Sequence, residues 1–142
     1  MKKLVISIII FITILIAFAV YLTLTGREIN VIEDGADYDN FEYHFVIITQ
    51  QYDDTFWSEV EEGARSAAKN LNVAIQCIKS ENTNVLQEIE LLELAIASRV
   101  DGIITHALEE DKFISVINKA VERDIPVITI DTDAPKSKRI SY

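Results

Sequence analysis

Hydrophobic and polar positions fall into two regimes along the 142-residue chain. Leu4 to Leu24 carries no charged residue and only Ser7, Thr13 and Thr23 as polar interruptions. A helix of that length rises about 31 Å, which matches the ~30 Å hydrocarbon thickness of a bilayer. From Glu42 onward the pattern changes to short apolar runs alternating with amphipathic stretches. The first run, Tyr43 to Thr49, predicts a β-strand. Thr55 is a candidate cap for a helix from Phe56 to Leu71, with Phe56, Val60, Ala64, Ala67 and Leu71 at helical spacing. Asn72 is placed as its left-handed stop. Val73 to Ile78 predicts a second strand, and Asn84 opens a helix to Ser98 whose stripe is Val85, Ile89, Leu92 and Ile96. Asp101 to His106 predicts a third strand. Asp111 then caps a helix to Arg123, with Phe113, Ile117 and Ala120 inward, Asp124 takes the left-handed position after it, and Pro126 to Asp131 predicts a fourth strand.

The order is therefore β-α-β-α-β-α-β, with strands that read as nearly continuous apolar runs. Such strands are buried on both faces. Right-handed crossovers put helices on both sides of a parallel sheet, so the fold class is a doubly wound α/β layer with an N-terminal transmembrane helix. Ile140 to Tyr142 resembles the start of a further strand without a helix to cover it, which suggests a fragment of a larger unit. The division is a signal anchor over 1–25, an acidic linker over 26–41 and the α/β lobe over 42–142.

Charge sharpens this picture. The chain carries a net charge of −10, and residues 29–142 alone hold 10 Lys/Arg against 22 Asp/Glu. No surface of that balance neutralises phosphates, so nucleic acid is excluded as a partner. Lys2 and Lys3 precede the apolar run and hold the amino terminus in the cytoplasm, which places the lobe outside, on a single-pass cell-membrane protein. A cleaved signal peptide is the competing reading, because Ala17-Phe18-Ala19 is an A-x-A pattern; Val20-Tyr21-Leu22 continue the apolar run and favour the uncleaved anchor. One cysteine, Cys77, and two histidines supply neither a disulfide nor a zinc set, and no cofactor or metal is expected.

In an open parallel sheet ligands bind beyond the carboxyl ends of the strands, beside the point where strand order reverses. The residues there are Gln50 to Asp54, Phe56 and Trp57 after the first strand, Ser80 to Asn82 after the second, His106 after the third, and Asp131 to Asp133 after the fourth. Carboxylates accept hydrogen bonds from vicinal hydroxyls and aromatic faces pack on the C–H face of a pyranose, so this mixture suits a sugar. Plain structural roles are weighed beside it: helix-dipole charges for Asp53 and Asp54, packing for Phe56 and Trp57, a hydrogen-bonded structural histidine for His106, a solvated face for Glu88, Glu90 and Glu93, and a buried apolar residue for Cys77. An enzymatic alternative is a magnesium-dependent phosphatase built on Asp131-Thr132-Asp133, but that aspartate pair belongs on a first strand. A receiver domain would need an aspartate where His106 stands. Catalysis is therefore not expected.

The stretches TFWSEVEEGARSAAKN (55–70), VDGIITHAL (100–108) and NKAVERDIPVITIDTDAP (118–135) resemble the amino-terminal lobe of periplasmic sugar-binding proteins of the ribose-binding type. The resemblance covers about residues 43–142. It implies two similar lobes closing on a sugar, with Asp54 and Asp131 contacting hydroxyls and Phe56 and Trp57 contacting the ring. Thr132 departs from the arginine of ribose-specific members. The implied partners are a monosaccharide, the membrane through residues 4–24, and an ABC permease or a sensor histidine kinase. A partner-binding module for such a sensor is the second reading. The second lobe that the resemblance implies is not in this sequence, and one lobe alone is expected to bind sugar weakly.

Overall fold

Four apolar runs pair as parallel strands, and burial on both faces, expected of all four, fails at the edge strand that ends the sheet, where Ile128 is exposed. The computed structural model describes residues 11–17, 40–50, 54–80 and 84–142, and the chain divides into two units, 1–30 and 31–142. In the first unit residues 11–17 are helical. The rest of the expected span over 4–24, and nearly all of the linker over 26–41, lie outside the described residues. Among the described residues, no helix is long and apolar enough to cross a membrane.

The second unit contains β1 (Tyr43–Gln50), α1 (Asp54–Ala68), β2 (Val73–Ser80), α2 (Val85–Ala97), β3 (Gly102–Thr105), α3 (Glu110–Val121) and β4 (Val127–Thr129). The strands lie in the order β2-β1-β3-β4, all parallel, so strand order reverses between β1 and β3. Right-handed crossovers set α1 against one face and α2 and α3 against the other. Val46, Ile47 and Ile48 of β1, Ile103 of β3 and Val127 of β4 are buried at the centre. Gly102 lies where β3 passes under Phe45, and a Cβ there would stand 3.1 Å from the ring, so a larger residue would have to push the ring aside. Ile128 and Ser141 form an isolated parallel bridge, with Ile140 N–H donating to the Val127 carbonyl at 2.9 Å, so the chain beside β4 does begin to pair as a fifth strand.

Several local expectations shift. Helix α1 starts at Asp54, so Thr55 lies inside it, and α3 starts at Glu110 with Glu109 as its cap, so Asp111 lies in its first turn. Asn84, expected to begin the second helix, stands just before α2 as its cap, its side-chain oxygen accepting from Leu86 N–H at 3.2 Å and Gln87 N–H at 3.3 Å. Asn72 and Asp124 take the left-handed conformation, with φ of 54° and 61°; so does Arg99, at 55°, where α2 ends. The largest correction concerns the inward face of α1. Leu71 lies beyond the helix, Phe56, Ala67 and Leu71 are exposed, and Trp57 and Ala68 are buried. The buried stripe is turned by one residue, because burying the Trp57 indole removes more apolar surface from water than burying Phe56 or Leu71.

Candidate functional site

The carboxyl ends of the strands bring together side chains from five elements. Gln50 and Ser80 are register partners at the ends of β1 and β2, and both are buried. Each donates to the same oxygen, Glu88 Oε1 on α2, from Gln50 Nε2 at 3.3 Å and from Ser80 Oγ at 3.1 Å. His106, immediately after β3, places Nε2 3.1 Å from that oxygen, at ion-pair distance but without hydrogen-bond alignment. From the other face of the sheet, Trp57 of α1 packs on the His106 ring with centroids 5.0 Å apart, and Phe56 stands edge-on to Trp57 at 5.0 Å.

These positions divide the expected site residues. Asp54 opens α1, but its side chain lies outside what the structure describes, as do Gln51, Tyr52, Asp53, Glu81 and Asn82. Phe56 is 42% exposed and Trp57 only 3%, so Phe56 offers the open ring and Trp57 forms the floor beneath it. Glu88 corrects the expected solvated face, since it is 0% exposed, whereas Glu90 is exposed and Glu93 partly so. A signal for this existed: Glu88 stands three and four residues before the buried Leu91 and Leu92, and so shares their helical face. His106 is fully buried, and neither ring nitrogen makes the expected hydrogen bond among the described residues.

After β4 the paired aspartates separate. Asp131 is exposed in the left-handed conformation, φ 66°. Its carbonyl accepts from the Tyr142 hydroxyl at 3.1 Å, while its carboxylate has no hydrogen bond or ion pair among the described residues. Asp133 is fully engaged by Arg139, whose Nη2 lies 2.5 Å from Oδ2, by the Thr129 hydroxyl at 2.7 Å and by Ala134 N–H at 2.7 Å. The Arg139 hydrogen bonds, opposed by partial desolvation and aided by Thr129, Ala134 and the guanidinium charge, lower its pKa from 3.8 to about 2. A carboxyl more acidic when folded contributes stability above its unfolded value and loses it as pH falls toward the folded one. Asp133→Asn is therefore expected to lower Tm at neutral pH, with the difference from the parent chain closing between about pH 4 and about pH 2. Thermal unfolding across that range is the check, and a pH-independent difference would contradict it.

A parallel α/β layer with an exposed carboxylate after β4 and a partly exposed aromatic ring after β1 has the architecture in which open sheets carry ligands at the carboxyl ends of their strands. The chain belongs to the periplasmic binding protein domain family, whose sequence model matches residues 45–142. It is 45% identical to GanP, a glucose-galactose binding protein from Geobacillus stearothermophilus, over 70% of this chain and 36% of that one, with a TM-score of 0.67. It is 30% identical to a chain in a mutant XylFII–LytSN complex, over 72% of this chain and 37% of that one, with a TM-score of 0.69. The Escherichia coli ABC transporter periplasmic-binding protein YphF is 31% identical over 78 residues, 54% of this chain and 24% of YphF. The chain thus spans about a third or less of each of these relatives. The family is one of non-enzymatic solute-binding proteins, and on that ground the chain is not an enzyme.

Proposed function

We propose that residues 42–142 form one lobe of an extracytoplasmic sugar-binding protein serving uptake or sensing, tethered to the cell membrane through residues 4–24. The observation that carries this reading is the Asp131 carboxylate. It is exposed at the end of β4, held in a left-handed backbone, and free of protein partners among the described residues, while its neighbour Asp133 is saturated by them. An ionised acceptor left open in this way is suited to two sugar hydroxyls. Phe56 supplies an apolar ring for the C–H face, and the likeness to a glucose-galactose binding protein supports a monosaccharide. Asp54 completes the proposed contacts, and Trp57 backs them from below.

One lobe desolvates one face of the sugar, so this chain is expected to bind D-glucose or D-galactose no more tightly than about millimolar. Saturation-transfer NMR with the two sugars, and with leucine as a control, tests the assignment. Transfer from sugar but not leucine is the expected result; no transfer from either sugar, or micromolar affinity by calorimetry, would overturn it. The likeness to a chain of the XylFII–LytSN complex supports a membrane sensor as partner beside an ABC permease. A sensor ectodomain that binds this chain equally with and without sugar would favour the partner-binding reading. Retention in the membrane pellet after carbonate extraction is expected of the tethered form.

A further inference from the structure

Glu88 is a buried acid in a lobe whose other large buried side chains are mostly apolar. Burying a carboxylate is costly unless charge and hydrogen bonds compensate it, and a well-packed apolar side chain in the same space is often as stabilising or more so. The compensation here is partial. Oε1 takes both hydrogen bonds and faces His106 Nε2, whereas Oε2 and both ring nitrogens of His106 have no hydrogen-bond partner among the described residues. A cluster of this composition is poorly explained as a source of stability. Its position explains it better. Through one oxygen it gathers the last residue of β1, the last residue of β2 and the first residue after β3, and through the His106 ring it reaches Trp57 on the opposite face of the sheet. These elements surround the strand-order reversal.

We infer that Glu88 and His106 are positioning residues for the ligand crevice: the Glu88 acceptor fixes where β1 and β2 end, and the imidazole fixes the depth and tilt of the Trp57 indole that backs Phe56. Neither touches ligand. The effect on sugar rests on the sugar-binding reading above, but the effect on Trp57 does not, and the two are measured separately.

Trp57 is the only tryptophan in the chain, so its emission and near-ultraviolet circular dichroism report this contact without sugar. The test compares Glu88→Leu, Glu88→Gln and a control, Glu90→Gln, on the exposed side of the same helix, in the full chain. Glu88→Leu is expected to unfold cooperatively but with an altered Trp57 dichroic band, and to weaken D-galactose binding by roughly tenfold through loosened positioning. Glu88→Gln keeps an acceptor for Gln50 and Ser80 and is expected to restore both signals, as the control retains them. An unchanged Trp57 band in Glu88→Leu, or a Glu88→Gln variant as perturbed as the leucine one, would overturn the inference. If Glu88→Leu does not fold, His106→Gln replaces it: a changed Trp57 band supports the positioning role and an unchanged one overturns it. If the parent chain binds no galactose, the sugar reading fails while the Trp57 comparison still decides the positioning role.

Discussion

Trp57→Ala is expected to destabilise the lobe by about 3–5 kcal/mol, the range for removing a large buried aromatic. The indole is 3% exposed, lies between Phe56 and His106, and is the largest side chain that α1 contributes to the core. The rest of that helix offers little to replace it. Phe56 and Ala67 face solvent, and Ala68 is small. The aromatic contacts add roughly 0.5–1.5 kcal/mol beyond the apolar area itself. A domain of this size has a total stability of about 5–15 kcal/mol, so the loss removes a large fraction of it and should lower the unfolding midpoint well below that of the parent chain. Urea unfolding followed by far-ultraviolet circular dichroism checks this, since the variant has no tryptophan signal. A loss below about 1 kcal/mol would show that the ring is peripheral to the core.

Asp131→Asn is expected to have the opposite profile. Asparagine adopts the left-handed conformation at least as readily as aspartate, and the Asp131 carboxylate holds no partner among the described residues, so stability should change by no more than about 0.5 kcal/mol. Sugar binding should weaken by about 1.5–3 kcal/mol, the value of hydrogen bonds to a charged acceptor. That is roughly a tenfold to hundredfold loss. Thermal unfolding together with NMR titration separates the two effects. Unaltered sugar affinity in a folded Asp131→Asn variant would remove Asp131 from the site.

Together these substitutions separate two kinds of position that lie close in the chain's chemistry but not in its energetics. Trp57 and Asp131 were both candidates for touching ligand on sequence grounds, as an aromatic and a carboxylate at strand ends. Folding gave one of them to the core and left the other to solvent. Asp131 and Asp133 show the same division two residues apart, because Arg139 and Thr129 converge on Asp133 and on nothing before it.

The alternation of apolar runs with helical spacings was enough to establish the β-α order and the parallel sheet, because a buried strand leaves a period-free apolar run and a crossover helix leaves a 3.6-residue one. It also placed a helix start at Asn84 and left-handed stops at Asn72 and Asp124, since those roles depend on a residue's own side chain and its immediate neighbours. Tertiary structure decided which side of α1 turns inward and which aspartate after β4 keeps an open carboxylate, and it supplied the partners that hold Glu88 on the buried face its spacing to Leu91 and Leu92 already shared. Each of those outcomes depends on a partner far away in sequence: His106 against Trp57, Gln50 and Ser80 against Glu88, and Arg139 against Asp133. Local periodicity constrains the face a residue can occupy, but the competition among distant side chains for the same buried space determines which residue wins it.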